Sequence, residues 1–186
     1  MIIRPRIKTT SRLITSALFA LTVYSTEAKQ YPNENQRKAD YLYQITKFLE
    51  WSDLYHDESP INFCIYGQDP FFGALDTIDR LKVKNRELNV RYIKQEPEIV
   101  HCNILYITRK QPNAFIQKHY PLITQNAILT MSEQQNFARD GGIIQFGVIG
   151  HKLSIEVNLK AAEDANIKIS ANLLEMANKV YQGRQY

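Results

Sequence analysis

Between Ala127 and Val180 the hydrophobic period of the chain changes twice, and this stretch constrains the fold more than any other. Ala127 to Thr130 is a short apolar run of the kind a buried strand makes. Gly141-Gly142 interrupts the chain just before Ile143-Ile144-Gln145-Phe146. Leu153, Ile155 and Val157 then alternate with Ser154, Glu156 and Asn158, the period of a strand with one buried face. Gly147 and Gly150-His151 fall between these strands and read as a hairpin turn. From Leu159 the period changes again. Ile167, Ile169, Leu173, Leu174, Ala177 and Val180 fit one face of a helix with an extended start.

The chain upstream supplies elements to cover this unit. A helix is expected from Gln36 to Trp51, capped by Asn33 or Asn35, with Leu42, Ile45 and Leu49 as its apolar stripe. Ile61 to Tyr66 is almost continuously apolar, as a strand covered on both faces should be. Gly67-Gln68-Asp69-Pro70 is a turn, and a helix is expected from Phe71 to about Lys82. Strands are expected next at Glu87–Lys94 and Asn103–Thr108, with Glu96 to Val100 as a link. A polar helix from about Pro112 to His119 ends before Pro121. Alternation of this kind predicts an α/β domain. The expected architecture is a three-layer sandwich with a mostly parallel sheet and an antiparallel C-terminal hairpin strand.

The first residues read differently. Arg4, Arg6, Lys8 and Arg12 precede a mostly apolar run from Leu13 to Tyr24, and Thr26-Glu27-Ala28 offers small residues for cleavage. Residues 1–28 have the layout of a secretory signal peptide; the alternative is an uncleaved anchor, although the run is short for a membrane span. Residues 29–35 are expected to be a disordered lead-in, and 36–183 the single domain. Charge must be counted without the leader, which holds four Lys/Arg and one acid, Glu27. Of the 23 basic and 19 acidic residues, 19 and 18 then remain. With that near-balance, the basic count does not indicate a nucleic-acid binder.

Export places Cys64 and Cys102 where disulfides persist. A bridge between them would close a long loop, worth about 4 kcal/mol in the chain-entropy picture. A metal site using His101 with Cys102 is the alternative, disfavoured because adjacent strand residues face opposite ways. His56, His101, His119 and His151 are scattered without metal-ligand spacing. Gly67 to Pro70 lacks the glycines of a phosphate loop. Gly141-Gly142 could approach a ligand, but also serves as a plain break before a strand. Glu156 and Asn158 read as a solvated strand face. No catalytic constellation, cofactor motif or metal set emerges, which points to binding or regulation.

Several stretches together resemble the YfiR family of small exported bacterial proteins. They are Phe48-Leu49-Glu50-Trp51, Phe63 to Phe71, Cys102 to Ile107, Ile128-Leu129-Thr130, and above all Phe137-Ala138-Arg139-Asp140-Gly141-Gly142-Ile143-Ile144. The likeness continues through Ile155-Glu156-Val157-Asn158, Ala161-Ala162, Ile167 to Ser170 and Leu173-Leu174. The resemblance implies a periplasmic repressor, without enzymatic activity, of an inner-membrane diguanylate cyclase like YfiN. Such a repressor lowers cyclic-di-GMP and biofilm formation. It also implies a homodimer, an outer-membrane lipoprotein like YfiB as a second partner, and a disulfide between Cys64 and Cys102. A second cysteine pair found in some relatives has no counterpart between Ser132 and Gly142. Trp51, Phe71, Phe72 and Phe137 are the candidate partner contacts. The other reading is a small-ligand module reporting to a membrane sensor kinase or cyclase, with its ligand near Gly67 to Phe72.

Overall fold

The computed structural model describes residues 33–51, 59–112, 114–149 and 152–183. The leader 1–28 and the start of the lead-in lie outside them. Helix α1 spans Glu34–Thr46, and Asn33 caps it by accepting from the Gln36 amide at 2.8 Å. It is shorter than the expected helix to Trp51. Leu49–Trp51 instead form a strand, β1, antiparallel to β9 (Ile167–Ile169). Leu49 is buried there, so its apolar character serves a strand rather than a last helical turn.

The main sheet holds the remaining strands: β2 (Ile61–Tyr66), β3 (Lys82–Val83), β4 (Arg86–Ile93), β5 (Ile104–Ile107), β6 (Leu129–Ser132), β7 (Ile144–Ile149), β8 (Lys152–Asn158) and β10 (Lys179–Tyr181). Their order is β10-β8-β7-β6-β5-β2-β4-β3. The pairs from β4 through β2, β5 and β6 to β7 are all parallel. β8 returns antiparallel on β7, and β3 returns antiparallel on β4. The mostly parallel α/β sheet with its antiparallel C-terminal hairpin is therefore present as expected.

Period-2 alternation sorts the central strands into two cores. Phe63, Ile65, Ile104, Tyr106, Leu129 and Met131 face the core shared with α1, and Cys64, Leu105, Ile107 and Ile128 face the other. The first core is closed by α1 together with α3 (Leu159–Asp164) and α4 (Ala171–Met176). The second is closed by α2 (Phe115–Gln125) and the 3-10 helix Glu96–His101. These are the three layers.

Three further expected helices differ. The segment after Pro70 forms only one 3-10 turn, Ala74–Thr77, because Phe72 (φ 51°) and Gly73 (φ 82°) are left-handed before it, and Arg80 (φ 61°) after it. Helix α2 runs through Pro121 to Gln125 rather than ending before it. Its carbonyls around the proline are taken by side chains, Thr124 Oγ1 donating to Tyr120 and Asn126 Nδ2 to Leu122. The tail is not one helix but α3, β9, α4 and β10. Asn166 (φ 53°) stops α3, Ile167 and Ile169 belong to a strand, and Ser170 restarts the helix as an N-cap.

Asn158 joins this tail to the sheet. It is buried; its Oδ1 accepts from the Ala161 amide at 2.9 Å, capping α3, and its Nδ2 donates to the Ala138 carbonyl at 2.7 Å. The solvated face expected for it is thus corrected. The Cys64–Cys102 disulfide lies in the second core, Cα–Cα 5.8 Å, closing a separation of 38 residues. It ties the centre of β2 to the chain entering β5.

Both joints can be tested by stability. Cys64→Ser or Cys102→Ser should cost about 2–5 kcal/mol, read as a lower urea midpoint; an unchanged midpoint would mean the bond adds nothing. Asn158→Ala removes a cap and a buried hydrogen bond. It should cost about 2–3 kcal/mol in the same assay, against little change for exposed Lys160→Ala.

Candidate functional site: a polar cleft at the strand ends

Parallel strands end together, so β2, β5 and β6 deliver their C-terminal residues to one end of the sheet. At that end β6 stops at Ser132, while β7 continues from Phe146 to Ile149 past the last β6 pairing, Ser132 with Gln145. The chain beyond Ser132 is pulled away from β7. Ser132 Oγ donates to the Ile107 carbonyl at 2.6 Å and accepts from the Gln134 amide at 3.0 Å. Gln134 Nε2 donates to the carbonyls of Thr108 (2.9 Å) and Gln111 (3.0 Å), beyond β5. A cleft of about 520 Å³ opens between this segment and the β7–β8 hairpin. Arg109, Glu133, Gln134 and Gln135 form one wall, and Gln145, Gly147, Ile149, Ser154 and Glu156 the other.

Glu133 anchors the first wall. Its side chain is only 5% exposed, with Lys38 Nζ of α1 at 2.9 Å from Oε1 and Arg109 Nε at 3.6 Å from Oε2. Lys38 also pairs with Glu34 at 3.0 Å. Burial works against the Lys38 charge, but the two carboxylates outweigh it and hold the ammonium pKa above its ordinary value. Burial first, and the Glu133 charge second, push the Tyr106 hydroxyl the same way, so it stays protonated. Across the cleft, Glu156 accepts from the Tyr181 hydroxyl at 2.8 Å. The cleft thus offers amide groups, two carboxylates and a guanidinium.

The four candidate contacts do not come together. Phe71 is 1% exposed and stacks edge-on against Tyr106 (centroids 4.9 Å) in the first core. Phe137 is buried in the second, its ring so close to Gly142 that a Cβ there would lie 2.2 Å from it. Neither presents a surface, and the Gly142 backbone is occupied by Phe137 rather than open to a ligand. Phe72 is 87% exposed. Asp69 holds its turn, accepting from the Phe71 and Gly73 amides at 2.8 Å each. Trp51 sits in β1 opposite Ile167, and its side chain is outside the described residues.

Gly67 (φ 109°) runs close to the chain after β5: a Cβ at this residue would meet Thr108 Oγ1 at 2.4 Å. His119 is buried on α2 between the Phe115 carbonyl and Glu96, while His56 and His151 are outside the described residues. Among the described residues no cluster of His, Cys, Asp or Glu suits a metal, and no helix is long and apolar enough to cross a membrane.

Reasoning from sequence misses Lys38, Arg109, Glu133 and Gln134. Glu133 and Gln134 directly succeed a strand, where α/β folds place ligand sites, and that is the one available signal.

The sequence pattern of the YfiR/HmsC-like family matches residues 35–178. The chain belongs to that family. YfiR/HmsC-like proteins are periplasmic and regulatory rather than a known catalytic group. No curated protein matches the sequence. Among solved structures, a conserved domain protein from Vibrio cholerae O1 biovar El Tor str. N16961 is similar at TM-score 0.48 and 11% identity, over 79% of this chain and 60% of that one. The ABC domain in complex with L-Trp from Streptococcus pneumonia is similar at TM-score 0.45 and 10% identity, over 78% and 60%. The YfiR/HmsC-like chain thus spans about three fifths of either structure, and likeness at this level carries no argument.

The cleft wall makes a prediction. Lys38→Ala leaves a buried Glu133 carboxylate with the more distant Arg109 as its cation, and should cost about 3 kcal/mol by urea denaturation. Arg109→Ala, at an exposed side chain, should cost no more than about 1 kcal/mol. Equal costs would mean that Lys38 does not carry the pair.

Proposed function

We propose that this protein is a periplasmic repressor that binds the periplasmic part of an inner-membrane diguanylate cyclase and holds it inactive. Cyclic-di-GMP and biofilm formation then fall. Family membership over residues 35–178 is the observation that carries this reading. The buried Cys64–Cys102 bond is consistent with an exported protein, as the leader 1–28 suggests. Repression needs only tighter binding to the inactive conformation of the cyclase, which a surface can supply.

Phe72 is the partner contact we favour. Exposing a large aromatic on a turn pinned by Asp69 leaves its ring available to a partner at small ordering cost. Tyr92 is also exposed, and its hydroxyl donates to Asp76 at 3.2 Å. An outer-membrane lipoprotein that draws the repressor away, and a homodimeric state, belong to the same proposal.

Deleting the gene in its host should raise cellular cyclic-di-GMP, and restoring it should return the level. Phe72→Ala, at parental abundance in the periplasm, should restore it incompletely. An unchanged level on deletion, in cells that express the protein, would count against repression. Full restoration by Phe72→Ala would remove Phe72 from the contact while leaving repression in place.

A further inference from the structure

The β7–β8 hairpin has an open backbone edge facing the cleft. Antiparallel pairing alternates the direction of the backbone groups. The Asn158 amide bonds to the Ile143 carbonyl, so with the register of β7 on β8, Gln145, Gly147 and Ile149 also turn towards β8. Ile144, Phe146 and Val148 turn the other way. The outer side of β8 agrees: Ile155 exchanges bonds with Asn178 there, so it and Leu153 face away from β7. Ile144 meets β6, and the last pairing, Ser132 with Gln145, puts the Phe146 amide on the Ser132 carbonyl; beyond it no strand lies beside the Phe146 carbonyl and Val148 on that side among the described residues. Backbone groups on such an edge are a template for another strand.

We infer that an extended peptide segment of a protein partner adds to the Phe146–Ile149 edge as a strand, seated in the cleft beyond Ser132. Three observations fit that occupant. The slot continues the line of β6, because Gln134 draws the chain after that strand towards Thr108 and Gln111. Its walls carry the side-chain amides of Gln135 and Gln145, which suit a peptide backbone better than an apolar molecule. Glu133 is already matched by Lys38 and Arg109, but Glu156 on the hairpin wall accepts from the neutral Tyr181 hydroxyl, so the segment should carry a Lys or Arg side chain near it. This inference rests on the reading of the protein as a regulator that binds a protein.

The test uses overlapping synthetic peptides covering the periplasmic portions of the host's membrane diguanylate cyclases, and those intact periplasmic domains, titrated against the mature protein. Val148→Pro removes an amide that faces the slot and spares the bonds to β8. Ser154→Arg narrows the slot from its hairpin wall. Both are first checked for parental melting and an intact disulfide. Whichever probe binds the parent should bind each variant at least about tenfold more weakly, and the Val148 amide should exchange more slowly in the complex. If Val148→Pro does not fold, Ser154→Arg and amide exchange carry the test. Unchanged binding by the variants, or unprotected Val148, would overturn strand addition and leave the regulator reading standing. A parent that captures neither peptides nor domains would overturn both.

Discussion

Strands β2 and β5 carry apolar side chains on both faces, so neither face can be left to water. Everything else answers that demand. One face is covered by α1 and the two short C-terminal helices, the other by α2 and a 3-10 helix. The disulfide sits inside the second cover, where it fixes β2 against the chain that enters β5. A sheet closed on both faces can present polar groups to solvent only at its strand ends and its edges. Both exposed features of interest, the cleft beyond Ser132 and the Phe72 turn after β2, are found at one such end.

The cleft exists because buried polar groups must be satisfied. Gln134 is almost fully buried and reaches two carbonyls beyond β5, and this draws the chain off the line of β6. Glu133 then points into the first core's upper margin, where burying a carboxylate is tolerable only with Lys38 and Arg109 beside it. The wall is therefore stiff and charged by construction. The facing hairpin pairs with β6 at its base, through Ile144 and Gln145, and beyond that point with β10 and itself. One firm wall and one with an open edge are what an added strand requires.

Strands were legible because their signals are local. Ile61–Tyr66 and the alternation from Leu153 to Val157 each contain their whole pattern. The tail was misread for a reason of the same kind. Ile167, Ile169 and Leu173 fit a helical face loosely, but the pair two residues apart was a strand, and only its partner Leu49, far back in the chain, makes it one. Pro121 misled because a proline usually reads as a helix stop, whereas α2 continues past it to Gln125. The Lys38, Arg109 and Glu133 cluster joins α1 to the ends of two strands, so no spacing in the sequence could show it.

Phe71 and Phe72 show how far identical neighbours can diverge. As sequence the two have equal standing, yet one is packed against Tyr106 and the other stands in solvent. The difference is one backbone angle, the left-handed φ of Phe72, held by the Asp69 carboxylate on either side. A non-glycine residue keeps that conformation only where its surroundings impose it. Phe71 buried in the core is the second restraint, since it stops the turn from rotating to hide Phe72. The exposed ring is thus sustained by the core beneath it. A partner that covers Phe72 gains apolar burial without having to order the loop first, which favours a regulator that binds by surface fit.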